Sequence, residues 1–280
     1  MTEVAISLGT LNPRSWREVA LVADEVGIEA VFVSDHLVAP ALAEGALGIG
    51  DEVERMRPDT PLIDSLGYCS YLAGITDKVR LGTYVYLLGL RHPFVAARGV
   101  ATLDVLSRGR ALFGVGAGWL TSEWEAAGIS PERRGARLDE GIDVCRRLWS
   151  EEIVEHHGEF YDFAPVGFAP KPVASTGVPI LVGGESAVAL RRAARSGDGW
   201  LGMRHTPQTA AAKATKLWRL RADAERVGSF SVTVGGDVRS RDDLVDWQRA
   251  GVDRVVVRPW SSSRRAAAEL REFASVALKP

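Results

Sequence analysis

The stretch ALFGVGAGWLTSEW, residues 111–124, decides how this chain reads. A short apolar run ends in Gly114, Gly116 and Gly118, and Trp119 follows at once. The dinucleotide-binding fingerprint needs a third glycine where Trp119 stands. An indole there would block the close helix–strand packing that glycine permits. The spacing rejects that fold and asks for another in which a strand ends in alternating glycines.

Outward from this stretch, short apolar runs alternate with longer amphipathic ones. Strands are expected at 4–8, 30–36, 79–86, 111–115, 180–182, 199–201, 231–234 and 254–257. Helices are expected at 13–26, 65–75, 93–106, 132–149, 187–195, 207–227 and 241–250, with a last one running to about 277. Gly27 stops the first helix, Pro93 opens the third and Ser240 caps the seventh. Strands alternating with helices imply a parallel sheet covered on its outer face. Eight such units in about 250 residues point to a closed (β/α)8 TIM barrel. An open doubly wound sheet is the alternative. The barrel would form one domain over residues 1–280, with insertions after strand two (37–58) and before strand five (151–179). The second insertion suggests a hairpin around His157-Gly158.

Composition narrows the function. The chain has 280 residues and a net charge of −2, so it carries no broad basic field for nucleic acid. Cys69 and Cys145 lie in apolar helical patterns and read as buried free thiols, which suits a reducing cytoplasm. The start MTEVAISLGT has no basic region of the kind that opens a signal peptide. The longest apolar run, 81–90, is bounded by Arg80 and Arg91 and falls short of the ~18 residues of a membrane helix. The five histidines show no metal-ligand spacing, so no metal site is expected. There is no G-x-S-x-G elbow for a hydrolase.

In such a barrel, chemistry collects where strands end and helices begin. Those ends carry Gly9-Thr10, Ser34-Asp35-His36, residues 83–87, 116–119, 183–186, 202–204, 235–237 and 258–260. The glycines of GVGAGW would let the backbone approach a bound ring or tail; a tight turn without ligand is the other reading. VGGES, residues 182–186, offers backbone N–H groups at a helix start for a phosphate, with the Glu185 side chain pointing away. VGGD, residues 234–237, competes for that role. Asp35 beside His36 suggests proton transfer or ring contact by the imidazole, with Asp35 setting its tautomer. Arg204, His205 and Arg258 are candidate charges for substrate or cofactor tail. His156-His157 reads as surface, opposite the chemistry.

The chain resembles the bacterial luciferase-like oxidoreductases, most closely their coenzyme F-420-dependent (deazaflavin) branch. The likeness rests on SDH (34–36), RLGTYV (80–85) with LRHP (90–93), residues 101–129, ERRGARLDEGIDVCRRLW (132–149), HGEFYDF (157–163), PKP (170–172) and PILVGGESAVALRRAARSGDGW (179–200), in that order. It implies that Asp35 and His36 lie near the deazaflavin ring. It also implies that a non-proline cis peptide, Tyr84–Val85 with Thr83 beside it, backs the ring. Gly118, Trp119, Ser122 and Glu123 would border the cofactor, and Gly183, Gly184 and Glu185 would hold its phosphate-bearing tail. Tyr84 stands where many relatives have Gly or Ser and would narrow the pocket. Basic residues for a phosphorylated sugar are not recognisable. The implied activity is hydride transfer between coenzyme F-420 and a small organic substrate, with residues 37–58 as a lid. One alternative is a monooxygenase that uses FMN and O2. Another is a non-catalytic protein that only binds the cofactor. A homodimer is a further expectation.

Overall fold

The computed structural model describes residues 1–39, 47–49, 52–54 and 57–278. Eight parallel strands close into a barrel: β1 (Glu3–Ser7), β2 (Ala30–Val33), β5 (Arg80–Thr83), β6 (Ala111–Val115), β9 (Ile180–Gly183), β10 (Gly199–Arg204), β11 (Ser231–Gly235) and β12 (Arg254–Val257). They follow one another around the barrel in chain order, and β12 pairs with β1 to close it. The expected (β/α)8 barrel is therefore the fold, and the open sheet is excluded.

Helices α1 (Pro13–Val26), α2 (Ser65–Ala73), α3 (Pro93–Ser107), α5 (Arg134–Ser150), α6 (Ala187–Ser196), α7 (Pro207–Asp223), α8 (Arg241–Arg249) and α9 (Ala266–Ala277) follow the barrel strands. Local chemistry sets their ends. Asn12 accepts from Arg14 N at the start of α1, and Gly27 ends that helix at φ 85°. Ser240 and Asp243 form a reciprocal capping box at the start of α8. Helix α7 stops at Asp223, earlier than expected, and Glu225 beyond it has φ 51°. A six-residue helix, α4 (Thr121–Ala126), was not expected. It is too short to show a period, and Leu120 before it supplies no side-chain cap.

The first insertion holds two short antiparallel strands, β3 (Leu47–Ile49) and β4 (Glu52–Glu54). The expected lid over 37–58 otherwise falls mostly outside the described residues. The second insertion forms the hairpin β7 (Ile153–His157) and β8 (Asp162–Gly167). His157 is exposed, but His156 corrects the surface reading. Its Nε2 donates to Glu140 Oε1 at 3.1 Å and its ring stacks on Phe163, because the hairpin folds back on α5.

The barrel interior is one apolar cluster: Ala5, Ala30, Phe32, Leu112, Leu181, Leu201 and Val256, with Tyr84 and Val85 packed on it. A larger core lies between the strands and the helix ring. Cys69 and Cys145 are buried in it, and burial pushes both thiols up to about 12. Among the described residues no helix is long and apolar enough to cross a membrane.

Candidate active site at the barrel mouth

The alternating glycines answer to the neighbouring strand. A Cβ on Gly114 would overlap the Thr83 carbonyl oxygen, and one on Gly116 would overlap Val85 Cγ2. Gly183, on the other side, is glycine for the same reason: its Cβ would lie 2.6 Å from Val85 Cγ1. Strand β5 stops at Thr83, the Tyr84–Val85 peptide is cis as the resemblance implies, and Tyr86 rejoins β6 through a single bridge to Val115. Tyr86 N donates to Gly114 O at 2.7 Å, and Gly116 N donates back to Tyr86 O at 3.0 Å. Gly114 and Gly116 thus clasp the β5 exit. This packing alone requires glycine at both positions. Gly118 differs, adopting φ 73° where the chain turns toward α4.

Thr83 belongs to the same clasp. It is fully buried, and its hydroxyl donates to Gly114 O at 2.7 Å. Tyr84 packs its ring near Phe32, with centroids 5.7 Å apart, and its hydroxyl donates to Gly202 O across the barrel. The phenol lies against the interior cluster, and burial pushes its pKa well above the ordinary range.

Asp35 and His36 are consecutive, and consecutive side chains at a strand end face opposite ways. Asp35 is buried and turned toward Arg91, which donates to its two oxygens at 2.7 and 2.9 Å. Leu87 N and Ser65 Oγ also donate to it. Arg91 in turn lies 4.3 Å over the Tyr86 ring. Asp35 therefore anchors the segment after the cis peptide and does not set the His36 tautomer, as the sequence had suggested.

That role falls to Glu123. Its side chain is 1% exposed, its Oε2 lies 2.8 Å from His36 Nδ1, and its Oε1 accepts from Leu37 N at 2.5 Å. An ionised carboxylate only accepts, so Nδ1 carries the proton. His36 Nε2 then has no protein partner among the described residues, and the side chain is 17% exposed. Trp119, half-buried, stands edge-on to the imidazole with centroids 6.2 Å apart. Helix α4 makes the arrangement possible, since it carries Glu123 back under the rim. Beside it, Ser122 Oγ is buried without a partner among the described residues.

Around the mouth, the β9–α6 turn presents Gly183, Gly184 at φ 123°, and Glu185. The Glu185 carboxylate reaches into the next unit. It accepts from Met203 N at 2.7 Å and His205 Nε2 at 3.1 Å, and lies 2.9 Å from Lys213 Nζ. Burial acts to raise this carboxyl, but those three donors outweigh it and bring it down to about 2. The Lys213 role was not anticipated: one lysine in a helix carries no local signal. The first turn of α6 holds no acidic residue, and Ser186 caps it through Ala189 N. Each turn already spends one glycine N–H, Gly184 N on Leu201 O and Gly236 N on Val256 O, but in the competing VGGD turn Asp237 pairs with Arg204 and α8 opens with Asp242 and Asp243. Of the two turns, only that of α6 suits an anion. The orphaned Ser122 hydroxyl, the half-buried His36 and Trp119, and this α6 turn fit a planar cofactor with a phosphate-bearing tail.

A sequence profile of the luciferase-like monooxygenases matches residues 2–274. The chain belongs to the luciferase-like monooxygenase family. It is 34% identical over 267 residues to an uncharacterized protein of Mycobacterium tuberculosis, Rv0953c, covering 91% of each chain. It is 33% identical over 194 residues to an F-420-dependent glucose-6-phosphate dehydrogenase of Amycolatopsis mediterranei, covering 68% of this chain and 53% of that one. Among solved structures it resembles the monooxygenase RslO1 from Streptomyces bottropensis, with TM-score 0.77 and 22% identity over 99% of both chains. The last likeness concerns the fold.

Proposed function

We propose that this luciferase-like chain is a coenzyme F-420-dependent oxidoreductase acting on a small organic substrate. The observation that carries the reading is the His36–Glu123 pair at the barrel mouth. It is a buried carboxylate that fixes an imidazole with one ring nitrogen uncommitted. The likeness to an F-420-dependent dehydrogenase supports the deazaflavin over FMN. When bound, the cofactor supplies two-electron hydride chemistry. Trp119, Ser122 and His36 would border its ring, Val85 would lie beneath it, and the turn of Gly183, Gly184 and Glu185 at the start of α6 would meet its tail phosphate. His36 Nε2 would hold or release the proton that accompanies hydride movement at the substrate. Glu123 would keep Nδ1 protonated and stabilise the imidazolium.

A fluorescence-quenching titration tests this. Purified protein is mixed with coenzyme F-420 and, separately, with FMN. Micromolar or tighter binding of F-420 with weak binding of FMN is expected. Preference for FMN would replace the proposal with an O2-using monooxygenase, and binding of neither would remove it.

A further inference from the structure

We propose that Arg258 recognises an anionic group, a carboxylate, on the substrate. The inference rests on the reading above and deepens it. Strand β12 alternates its side chains. Arg254 lies at the closed end of the barrel, bonded to Glu29 and to Thr233 Oγ1. Val256, two residues on, belongs to the interior cluster. Arg258, two further on, falls on the same inward face one layer higher, at the mouth.

The two arginines differ in one respect. Arg254 is 7% exposed and neutralised by Glu29, whereas Arg258 is exposed and has no ion pair or hydrogen bond among the described residues. The other two candidate cations at the mouth are committed. Arg204 pairs with Asp237 at 2.7 Å, and His205 with Glu185 at 3.1 Å. Strand β12 leaves its paired register at Ile6↔Val257 and Gly235↔Val256, and beyond it the Tyr84 phenol lies within electrostatic reach of Arg258. Of the three candidate cations, Arg258 is the one with no ion pair or hydrogen bond among the described residues.

Position around the barrel favours substrate over cofactor tail. Arg258 is three strands from the β9–α6 turn but only two from β2, which carries His36. Two strand spacings amount to about 10 Å along the wall. A small organic acid spans that gap, with its reacting carbon at His36 Nε2 and its carboxylate in the guanidinium fork.

The test is a panel of small aliphatic and aromatic carboxylic acids, each paired with its primary amide. Binding is measured by thermal shift and calorimetry, with and without coenzyme F-420. At least one acid should bind about tenfold more tightly than its amide. Arg258→Met should abolish that preference while leaving the F-420 affinity unchanged, and Arg258→Lys should retain part of it. Arg258→Gln serves if the Met variant fails to fold. The proposal is overturned if no acid exceeds its amide, or if the Met variant keeps the acid preference. Loss of F-420 affinity in that variant also overturns it, because the arginine then serves the cofactor tail. Failure of F-420 to bind at all would remove the function proposed above, while the acid–amide comparison on cofactor-free protein would still decide Arg258.

Discussion

Gly116→Ala tests why a strand should end in alternating glycines. The new Cβ would overlap Val85 Cγ2 and lie 3.3 Å from Val85 Cβ; its three nearest neighbours all belong to Val85. Val85 cannot swing away freely, because its other methyl already faces Gly183, where a Cβ would come within 2.6 Å. Overpacking of this kind costs about 1–3 kcal/mol. At about 2 °C per kcal/mol for a chain of this size, the melting temperature should fall by about 2–6 °C. Val85→Ala alone removes two methyl groups from a half-buried site and should cost about 1–1.5 kcal/mol. If the clash is the whole effect, the double variant should be no less stable than Val85→Ala. That gives a coupling of about 1–3 kcal/mol in a guanidinium unfolding cycle. Gly114→Ala is the control, since it strikes the Thr83 backbone carbonyl and truncating Val85 should not rescue it. Additivity of the Gly116 and Val85 changes to within about 0.5 kcal/mol would refute the argument and return Gly116 to the ligand-approach reading.

Two further predictions separate the roles of the mouth carboxylates. Asp35→Asn breaks a buried ion pair and should cost about 3 kcal/mol of stability, while leaving the ring-nitrogen NMR signals of His36 in place. Glu123→Gln should do the reverse: near-native stability, with the imidazole proton moving from Nδ1 to Nε2 as the amide donates to Nδ1. A tautomer that shifts with Asp35 and ignores Glu123 would reverse the assignment. Glu185→Gln probes pH dependence. Because the folded carboxyl lies at about 2 against an ordinary 4.5, the folded state binds fewer protons between those values. The wild-type advantage should be full above about 4.5 and vanish as pH falls through about 2. Urea midpoints of the two proteins that stay parallel across that range would contradict the assigned donors.

The sequence alone determined the eight βα units, the helix signals at Gly27, Pro93 and Ser240, and the residues that collect at the strand ends. Those features are decided within a few positions by side-chain period, backbone freedom and local hydrogen bonds, so they can be read without a partner. The luciferase-like likeness rested on the same local motifs kept in order. Tertiary structure alone decided what those residues touch. Asp35 and His36 are neighbours in the chain, yet one turns to Arg91 and the other to Glu123, 87 positions away. The glycines of the opening stretch looked like a ligand cradle, but Gly114 and Gly116 make room for Thr83 at the end of β5 and Val85 just beyond it. Glu185 found His205 and Lys213 in the next unit, and Arg258 formed no ion pair or hydrogen bond among the described residues. Such pairings depend on which strands lie side by side and in what register. Only closure of the barrel settles both.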